Sequence, residues 1–234
     1  MADPRGTEFR PTVSWYEDAD KYWKGVPSSV DGMLGGLEEV HAPDIRDSLA
    51  FIDKLRKDPS LSFGSSYACD CGAGIGRVTK YFLSTRFDKV DLVEQNSTFL
   101  EEAASSYLKD KKKAGRVCDM FPVGLQKFVP QKSRYDVIWC QWVLSHLTDA
   151  DLAAFLKRCV QGLAPGGIIC IKENVASRGY VVDNQDSSVT RAKSLFESVF
   201  AAAGLVVVDQ MTQTDFPQGL FEVNMWALKP NADN

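Results

Sequence analysis

The chain has 234 residues, of which 44% are apolar and 25% charged, and a formal net charge of −4. Such a chain is most simply one soluble globular domain with decoration, long enough to bury a proper core. The negative balance argues against broad nucleic-acid binding, which needs Lys and Arg against phosphates, and no apolar run nears the roughly 18 residues that span a bilayer. Cys69, Cys71, Cys118, Cys140, Cys159 and Cys170 form no C-x-x-C pair, and His41 and His146 lie far apart, so metal-site spacing is missing and no metal is expected. Most of these cysteines fall in apolar runs, where buried reduced thiols are expected. With no signal peptide visible, a cytoplasmic or nuclear protein is expected.

Residues 1–60 read as a helical extension packed on the core. Trp15, Tyr16, Tyr22 and Trp23 recur at helical spacing, followed by Val30-Asp31-Gly32-Met33-Leu34-Gly35-Gly36. The aromatics either cover the edge of the core or close over a site as a lid, with the glycines as hinge. From residue 61 to 234 the chain alternates short β-rich runs with helical patterns. The strands are expected at Tyr67–Cys71, Val90–Glu94, Arg116–Cys118, Tyr135–Cys140, Gly167–Lys172, Leu205–Gln210 and Val223–Leu228. Helical patterns fall at Ser97–Leu108, Ala150–Gly162 and Val189–Ala203. Lys109-Asp110-Lys111-Lys112-Lys113 is a nuclear address or, more simply, a solvated helix end. Strand–helix alternation implies right-handed crossovers and a mostly parallel sheet covered on both faces. About a dozen residues, including Pro217 and Gly219, separate the last two strands, which therefore read as an antiparallel hairpin.

The stretch Asp70-Cys71-Gly72-Ala73-Gly74-Ile75-Gly76-Arg77 leaves the first strand as a glycine-rich turn. Strand, glycine turn and helix present bare backbone N–H groups, here at Gly72 and Gly74, to a nucleotide-like ligand at the carboxyl edge of a sheet. The spacing is G-x-G-x-G rather than the dinucleotide pattern, and Glu94 follows Gly76 by 18 positions, where a carboxylate accepts ribose hydroxyls. An acid before the turn opposes a pyrophosphate, whereas S-adenosyl-L-methionine carries an ammonium, a sulfonium and a carboxylate. On that reading Arg77 pairs the methionine carboxylate and Asp70 helps place the ammonium. Gln126, in Gly124-Leu125-Gln126, meets the adenine edge, and Gln141 meets the methionine part. The Leu163-Ala164-Pro165-Gly166-Gly167 run is a turn before a strand.

Four strings go further: Val30–Gly36, Asp70–Arg77, Asp136-Val137-Ile138-Trp139-Cys140-Gln141-Trp142-Val143 with His146-Leu147-Thr148-Asp149, and Asp186-Ser187-Ser188-Val189 with Arg191. Together they closely resemble the eukaryotic protein N-terminal methyltransferase family, over nearly the whole chain from Trp15 to Leu228. The resemblance implies an α/β class I (Rossmann-like) fold, with a seven-stranded, mostly parallel sheet, a C-terminal antiparallel hairpin, an N-terminal helical lid and a substrate insert around 174–188. It implies methylation of the α-amine of proteins beginning X-Pro-Lys or X-Pro-Arg once Met is removed, with S-adenosyl-L-homocysteine as product. Cofactor contacts are implied for Gly72, Arg77, Leu125, Gln126 and Gln141, and Glu94 fills the ribose-binding acid position. Peptide contacts are implied for Tyr22, Trp23, Leu34, Trp142, His146, Asn174, Asp183, Asp186 and Ser188. Asn184 replaces an acid in the family's pattern, and Phe221 stands where relatives can show Tyr, which removes one hydroxyl from the substrate channel.

The chemistry is consistent with the residues. An α-amine titrates at about 8, so roughly a tenth is free nucleophile at pH 7 and a proton acceptor is needed. Asp186 and His146 are the candidates, since imidazole suits base work near neutrality and a carboxylate can bind the ammonium and then take its proton. The plainer alternatives are a structural histidine and an Asp186 that caps the helix over Val189–Ala203. Proline has no N–H and a fixed φ, so a flat wall such as Trp142 selects it by packing, Asn174 bonds a nearby carbonyl, and Asp183 and Asp186 pair with a third-position cation. Two other functions use the same residues: a methyltransferase for small amines beneath an aromatic lid, and a non-catalytic peptide-binding module on a cofactor fold.

Overall fold

The apolar runs assemble into one seven-stranded sheet, and the segments between them cover its faces. The computed structural model describes Phe9 and residues 11–231. The chain opens with three helices, α1 (Trp15–Lys24), α2 (Val30–Met33) and α3 (His41–Leu55). Strand β1 (Tyr67–Cys71) leads through the glycine turn into a wide helical turn, Thr79–Leu83, and then α4 (Ser84–Arg86). Next come β2 (Lys89–Val93), α5 (Ser97–Glu102), α6 (Lys109–Lys113), β3 (Val117–Phe121), β4 (Tyr135–Gln141), α7 (Asp149–Gly162) and β5 (Leu163–Val175). The chain ends with β6 (Tyr180–Asp183), β7 (Ser188–Arg191), α8 (Lys193–Ala202), β8 (Leu205–Thr212) and β9 (Glu222–Pro230).

The strand order is β3-β2-β1-β4-β5-β9-β8. The five strands from β3 to β5 run parallel, and β9 pairs antiparallel with both β5 and β8, as the hairpin reading expects. Alternation with period two sends side chains to opposite faces. Cys69, Cys71, Ile138 and Cys140 point into a cluster with Phe155 and Leu156 of α7 and Phe196 and Phe200 of α8. Ala68, Val137 and Trp139 meet Phe51, Ile52 and Leu55 of α3 and Phe82 beyond the glycine turn. Each of those three fully buried α3 side chains stabilises the packing by about 1.5–3 kcal/mol, so α3 is a covering helix of the sheet. Helix α7 starts where the Thr148 hydroxyl accepts the Asp151 N–H at 3.1 Å. Five of the six cysteines are buried and Cys118 is half-buried.

The structure differs from the sequence reading at residues 180–191. The helix expected over Val189–Ala203 begins only at Lys193, because Ser188–Arg191 pairs with Tyr180–Asp183 as a two-stranded hairpin. The residue at its N-cap is Ala192, without a side-chain cap, so Asp186 caps no helix. The run Ser97–Leu108 is helical, but it widens into a π turn at Ala103–Tyr107.

After β1 the chain builds β2 and β3 on one side and then returns with β4 on the other. The carboxyl ends of β1 and β4 lie side by side, Cys71 opposite Cys140. That reversal opens the crevice in which α/β sheets bind ligands.

Candidate active site

Directly beyond β1, Gly72 has φ +74° and Gly74 has φ +54°, a region that L side chains rarely adopt. A Cβ on Gly72 would lie 2.5 Å from the Val143 Cβ, so only glycine lets the β1 and β4 turns approach this closely. Between them opens a cavity with about 940 Å³ of empty space, partly continuous with solvent. Gly72, Gly74, Arg77, Glu94, Leu125, Gln126 and Gln141 line it together with Trp23, Trp142 and His146. Residues read as donor-binding and residues read as acceptor-binding therefore share one space.

Asp70 is not among the residues that line this space. It is only 2% exposed, and its Oδ2 accepts the Thr79 N–H at 3.1 Å and the Thr79 hydroxyl at 2.6 Å. Burial pushes its carboxyl up to about 6 against those two bonds. Through Oδ2, Asp70 braces the glycine turn to the helical turn behind it.

Glu94 directly follows β2, with Oε2 accepting the Gly74 N–H at 3.0 Å and Oε1 accepting the Asn96 N–H at 2.9 Å. Burial holds its carboxyl above the usual range, and each oxygen keeps a lone pair for a ribose hydroxyl. Leu125 and Gln126 are held from behind by Arg158 of α7, whose Nη2 donates to their carbonyls at 2.8 and 3.1 Å. Gln141 has a determined amide orientation: Oε1 accepts the Trp139 indole N–H at 3.0 Å and Nε2 donates to Asp44 at 2.8 Å.

The acceptor side is built on the turn after β4. Trp142 sits at φ +50° and donates its backbone N–H to the Lys172 carbonyl at 3.0 Å, while its buried indole N–H has no partner among the described residues. Strain of this kind persists only where neighbours hold it. Glu173 does so by accepting the Val143 and Leu144 N–H groups at 2.8 and 2.7 Å, and burial pushes its carboxyl up to about 7. Arg191 braces the far side, donating to the Leu144 and Leu147 carbonyls at 3.3 and 2.6 Å and pairing with Asp149 at 2.7 Å. Asp44, Glu173 and the brace role of Arg191 were not read from the sequence.

Helix α1 closes over this turn from above. Trp15 donates its indole N–H to the His146 carbonyl at 2.7 Å, and the Tyr16 hydroxyl bonds the Asp151 carboxylate. Burial, then that bond to Asp151, pushes the Tyr16 hydroxyl up to about 12. The Trp23 indole N–H donates to Nε2 of His146 at 3.1 Å. His146 Nδ1 lies 3.1 Å from the Ser187 carbonyl, which can only accept, so Nδ1 carries the ring proton. Both readings of the N-terminal aromatics thus have a counterpart: Trp15 is buried beside Phe9 and Val189, and Tyr16 and Trp23 line the cavity.

The remaining candidates are not among the residues that line the cavity. Tyr22 packs edge-on against Trp23 at 5.5 Å, and Leu34 is buried. Asn174 lies half-buried near the end of β5. Asp183 is exposed and accepts the Gln185 N–H at 2.8 Å, opposite Ser188 in the small hairpin. Asp186, one residue before the carbonyl that holds His146, keeps a solvent-shielded Oδ1 with no hydrogen-bond partner among the described residues. Phe221 is 43% exposed. Phe216, which the sequence reading did not single out, faces Trp142 with ring centroids 6.3 Å apart.

These residues fit adenosylmethionine: an acid for the ribose, a guanidinium and an amide for the amino-acid part, and a glycine turn that carries no side chains of its own at Gly72 and Gly74. The comparisons with known proteins agree. A family model described as AdoMet dependent proline di-methyltransferase matches residues 12–229. Alpha N-terminal protein methyltransferase 1 of Drosophila melanogaster is 47% identical over 221 residues, 94% of this chain and 78% of the relative. N-terminal Xaa-Pro-Lys N-methyltransferase 1 of Danio rerio is 45% identical over 217 residues, 93% of this chain and 96% of the relative. A solved SAM-dependent methyltransferase from Leishmania major superposes with a TM-score of 0.83 at 39% identity, covering 92% of this chain and 83% of that one. A Burkholderia thailandensis 1,6-didemethyltoxoflavin-N1-methyltransferase, 18% identical with a TM-score of 0.71 over 95% and 93% of the two chains, shares the class I fold. The chain belongs to the family of AdoMet-dependent proline di-methyltransferases.

Proposed function

We propose that this protein methylates the α-amine of proteins that begin X-Pro-Lys or X-Pro-Arg after removal of Met. The observation that carries the reading is the shared cavity, in which His146 and Trp142 stand beside Arg77, Glu94 and Gln141. Its relatives' names, Xaa-Pro-Lys N-methyltransferase among them, support the substrate class.

When bound, adenosylmethionine supplies an electrophilic methyl group on a sulfonium. Gly72, Gly74, Glu94, Leu125 and Gln126 hold the adenosine part, and Arg77 and Gln141 hold the amino-acid part. The chain's own task at the acceptor is to strip one proton from an amine that is mostly ammonium at pH 7. Oδ1 of Asp186, shielded and unpartnered, is a place for that ammonium to bind. Nε2 of His146 has a lone pair and receives the proton once the Trp23 indole, its present donor, turns aside. The proton ends on the imidazole, whose Nδ1–H stays on the Ser187 carbonyl. Trp142 and Phe216 form the flat wall for a second-position proline. Asp183, exposed at the rim, attracts the third-position Lys or Arg. Helix α1, tied to the site by Trp15, Tyr16 and Trp23, acts as the lid.

The test is transfer from labelled adenosylmethionine to a Ser-Pro-Lys peptide, with its α-acetylated form as control. Label on the free peptide alone is the expected result. Equal label on the acetylated peptide, or none on either, overturns the proposal.

A further inference from the structure

A buried polar cluster that includes the cavity residues Arg77 and Gln141 has Asp44, in the first turn of α3, at its centre. Its carboxylate is fully buried. Oδ1 meets Lys172 Nζ at 2.5 Å and Gln141 Nε2 at 2.8 Å, and Oδ2 pairs with Arg77 Nη1 at 2.7 Å. Lys172, also fully buried, donates further to the Asp44 carbonyl at 3.0 Å and to Ser48 Oγ at 2.9 Å. Burial alone would raise the Asp44 carboxyl, but the charges of Lys172 and Arg77 outweigh it and hold it below its ordinary range.

An ion pair sealed in a core contributes little net stability, and apolar side chains of similar size often replace one without loss. Pairing Lys172 therefore does not by itself explain Asp44. What the carboxylate adds is direction. It is the acceptor that fixes the Gln141 amide from one end while Trp139 fixes it from the other. To Arg77 it is an ion partner, with Oδ2 close to Nη1 but without hydrogen-bond geometry. The polar contacts of Arg77 among the described residues run through Nη1, to Asp44 at 2.7 Å and to Nδ1 of His41 at 3.2 Å. His41 accepts the hydrogen bond of Nη1 and Asp44 supplies the counter-charge beside it, so the planar guanidinium keeps Nε and Nη2 for a second carboxylate. Asp44 lies between Lys172 and Arg77, while neighbouring Asp47 is matched by Arg46 at 2.8 Å. Arg77 lines the cavity, where a ligand carboxylate can reach it.

We propose that Asp44 is a positioning residue for the donor. Held by Lys172, it aims Arg77 and Gln141 at the amino-acid end of adenosylmethionine, so that helix α3 supplies part of the donor site. The proposal rests on the assignment of Arg77 and Gln141 to that end of the donor.

Calorimetric titration with S-adenosylhomocysteine tests it without turnover, alongside thermal melting and separate KM values for donor and peptide. Asp44→Asn strands Lys172, so the decisive variant is Asp44→Asn with Lys172→Met, which removes the stranded charge; Lys172→Met alone leaves Asp44 on Arg77 and Gln141. The double variant is expected to melt near the parent yet bind S-adenosylhomocysteine at least about tenfold more weakly, as loss of a charge-assisted contact implies. Its donor KM rises in step and its peptide KM does not. Lys172→Met alone is expected to keep affinity within about threefold of the parent. Parent-like affinity in the double variant, or an equal loss in Lys172→Met alone, shows that Asp44 serves only as a counter-ion and overturns the proposal. Arg77→Met separates the two layers. If it binds S-adenosylhomocysteine as tightly as the parent, the donor-site assignment fails and the role of Asp44 fails with it.

Discussion

Trp23 and His146 bond each other through their ring nitrogens, the indole N–H reaching Nε2 at 3.1 Å. The carbonyl of Ser187 takes the proton of Nδ1 at 3.1 Å. The chain's other histidine has the opposite arrangement, since His41 Nδ1 accepts from Arg77 at 3.2 Å. We therefore expect nitrogen NMR of the ligand-free protein to show two neutral imidazoles of different tautomer, Nδ1–H for His146 and Nε2–H for His41. His41→Gln assigns the signals. An Nε2–H tautomer at His146 would contradict the way Trp23 is placed as the cap of the base.

Proton removal is the step that separates His146 and Asp186 from the rest of the cavity. His146→Asn and Asp186→Asn are each expected to lower kcat on an X-Pro-Lys peptide by about 10²–10⁴. Calorimetric affinity for S-adenosylhomocysteine should stay at the parent level in both. A variant with parent kcat removes that residue from the mechanism.

Gly72 has no room for a side chain: φ is +74° and a Cβ would meet Val143 at 2.5 Å. Gly72→Ala is expected to destabilise the fold by about 1–3 kcal/mol and to weaken donor binding, because the glycine turn and the Trp142 turn must part. Urea unfolding and calorimetry measure the two effects. Parent values in both would show that the turns can separate without consequence.

Glu173 gives the protein a pH signature. Its carboxyl rises from 4.5 to about 7 on folding because it is buried. Below the unfolded value both states hold the proton. Between the two values the folded state keeps a proton that the unfolded chain releases, so the stability from this group falls as pH rises and is gone above about 7. The difference is bounded by about 3 kcal/mol. Asp70, pushed up to about 6, adds to the same trend. Glu173→Gln keeps an oxygen for the Val143 and Leu144 N–H groups and is expected to flatten the fall in urea midpoint between pH 4.5 and 7. An unchanged slope would contradict the buried-carboxyl account.

The strands of the main sheet were legible because each is an apolar β-rich run, and the cavity-lining Gly72, Gly74 and Glu94 because a glycine turn and the acid just after the next strand have a spacing of their own. The hairpin Tyr180–Asp183 with Ser188–Arg191 was not: its strands are four residues each and partly exposed, so their pattern merges with the helix that follows. Asp70 shows the limit of reasoning from charge. Its place before the glycine turn suggested a ligand ammonium, and nothing in the sequence showed that Thr79, nine positions on, bonds Oδ2 of that carboxylate twice. Asp44, too, is an acid in an amphipathic helix with no motif around it. Only the approach of α3 to β4 and β5 reveals its three partners.

Proline selection is placed on the wall formed by Trp142 and Phe216, whose rings lie 6.3 Å apart. Trp142→Ala is expected to raise the KM of an X-Pro-Lys peptide by about tenfold, a loss of about 1.4 kcal/mol, and to narrow the preference over X-Ala-Lys. Competition between the two peptides measures it. An unchanged preference would move proline recognition elsewhere.

The α-amine itself is the central claim, and an Ala-Pro-Lys peptide with both of its amines free tests it most directly. Tandem mass spectrometry of the product after incubation with adenosylmethionine locates every added methyl. The account predicts methylation confined to the nitrogen of the first residue. Methyl groups on the lysine side chain, or an unmodified peptide, would contradict it.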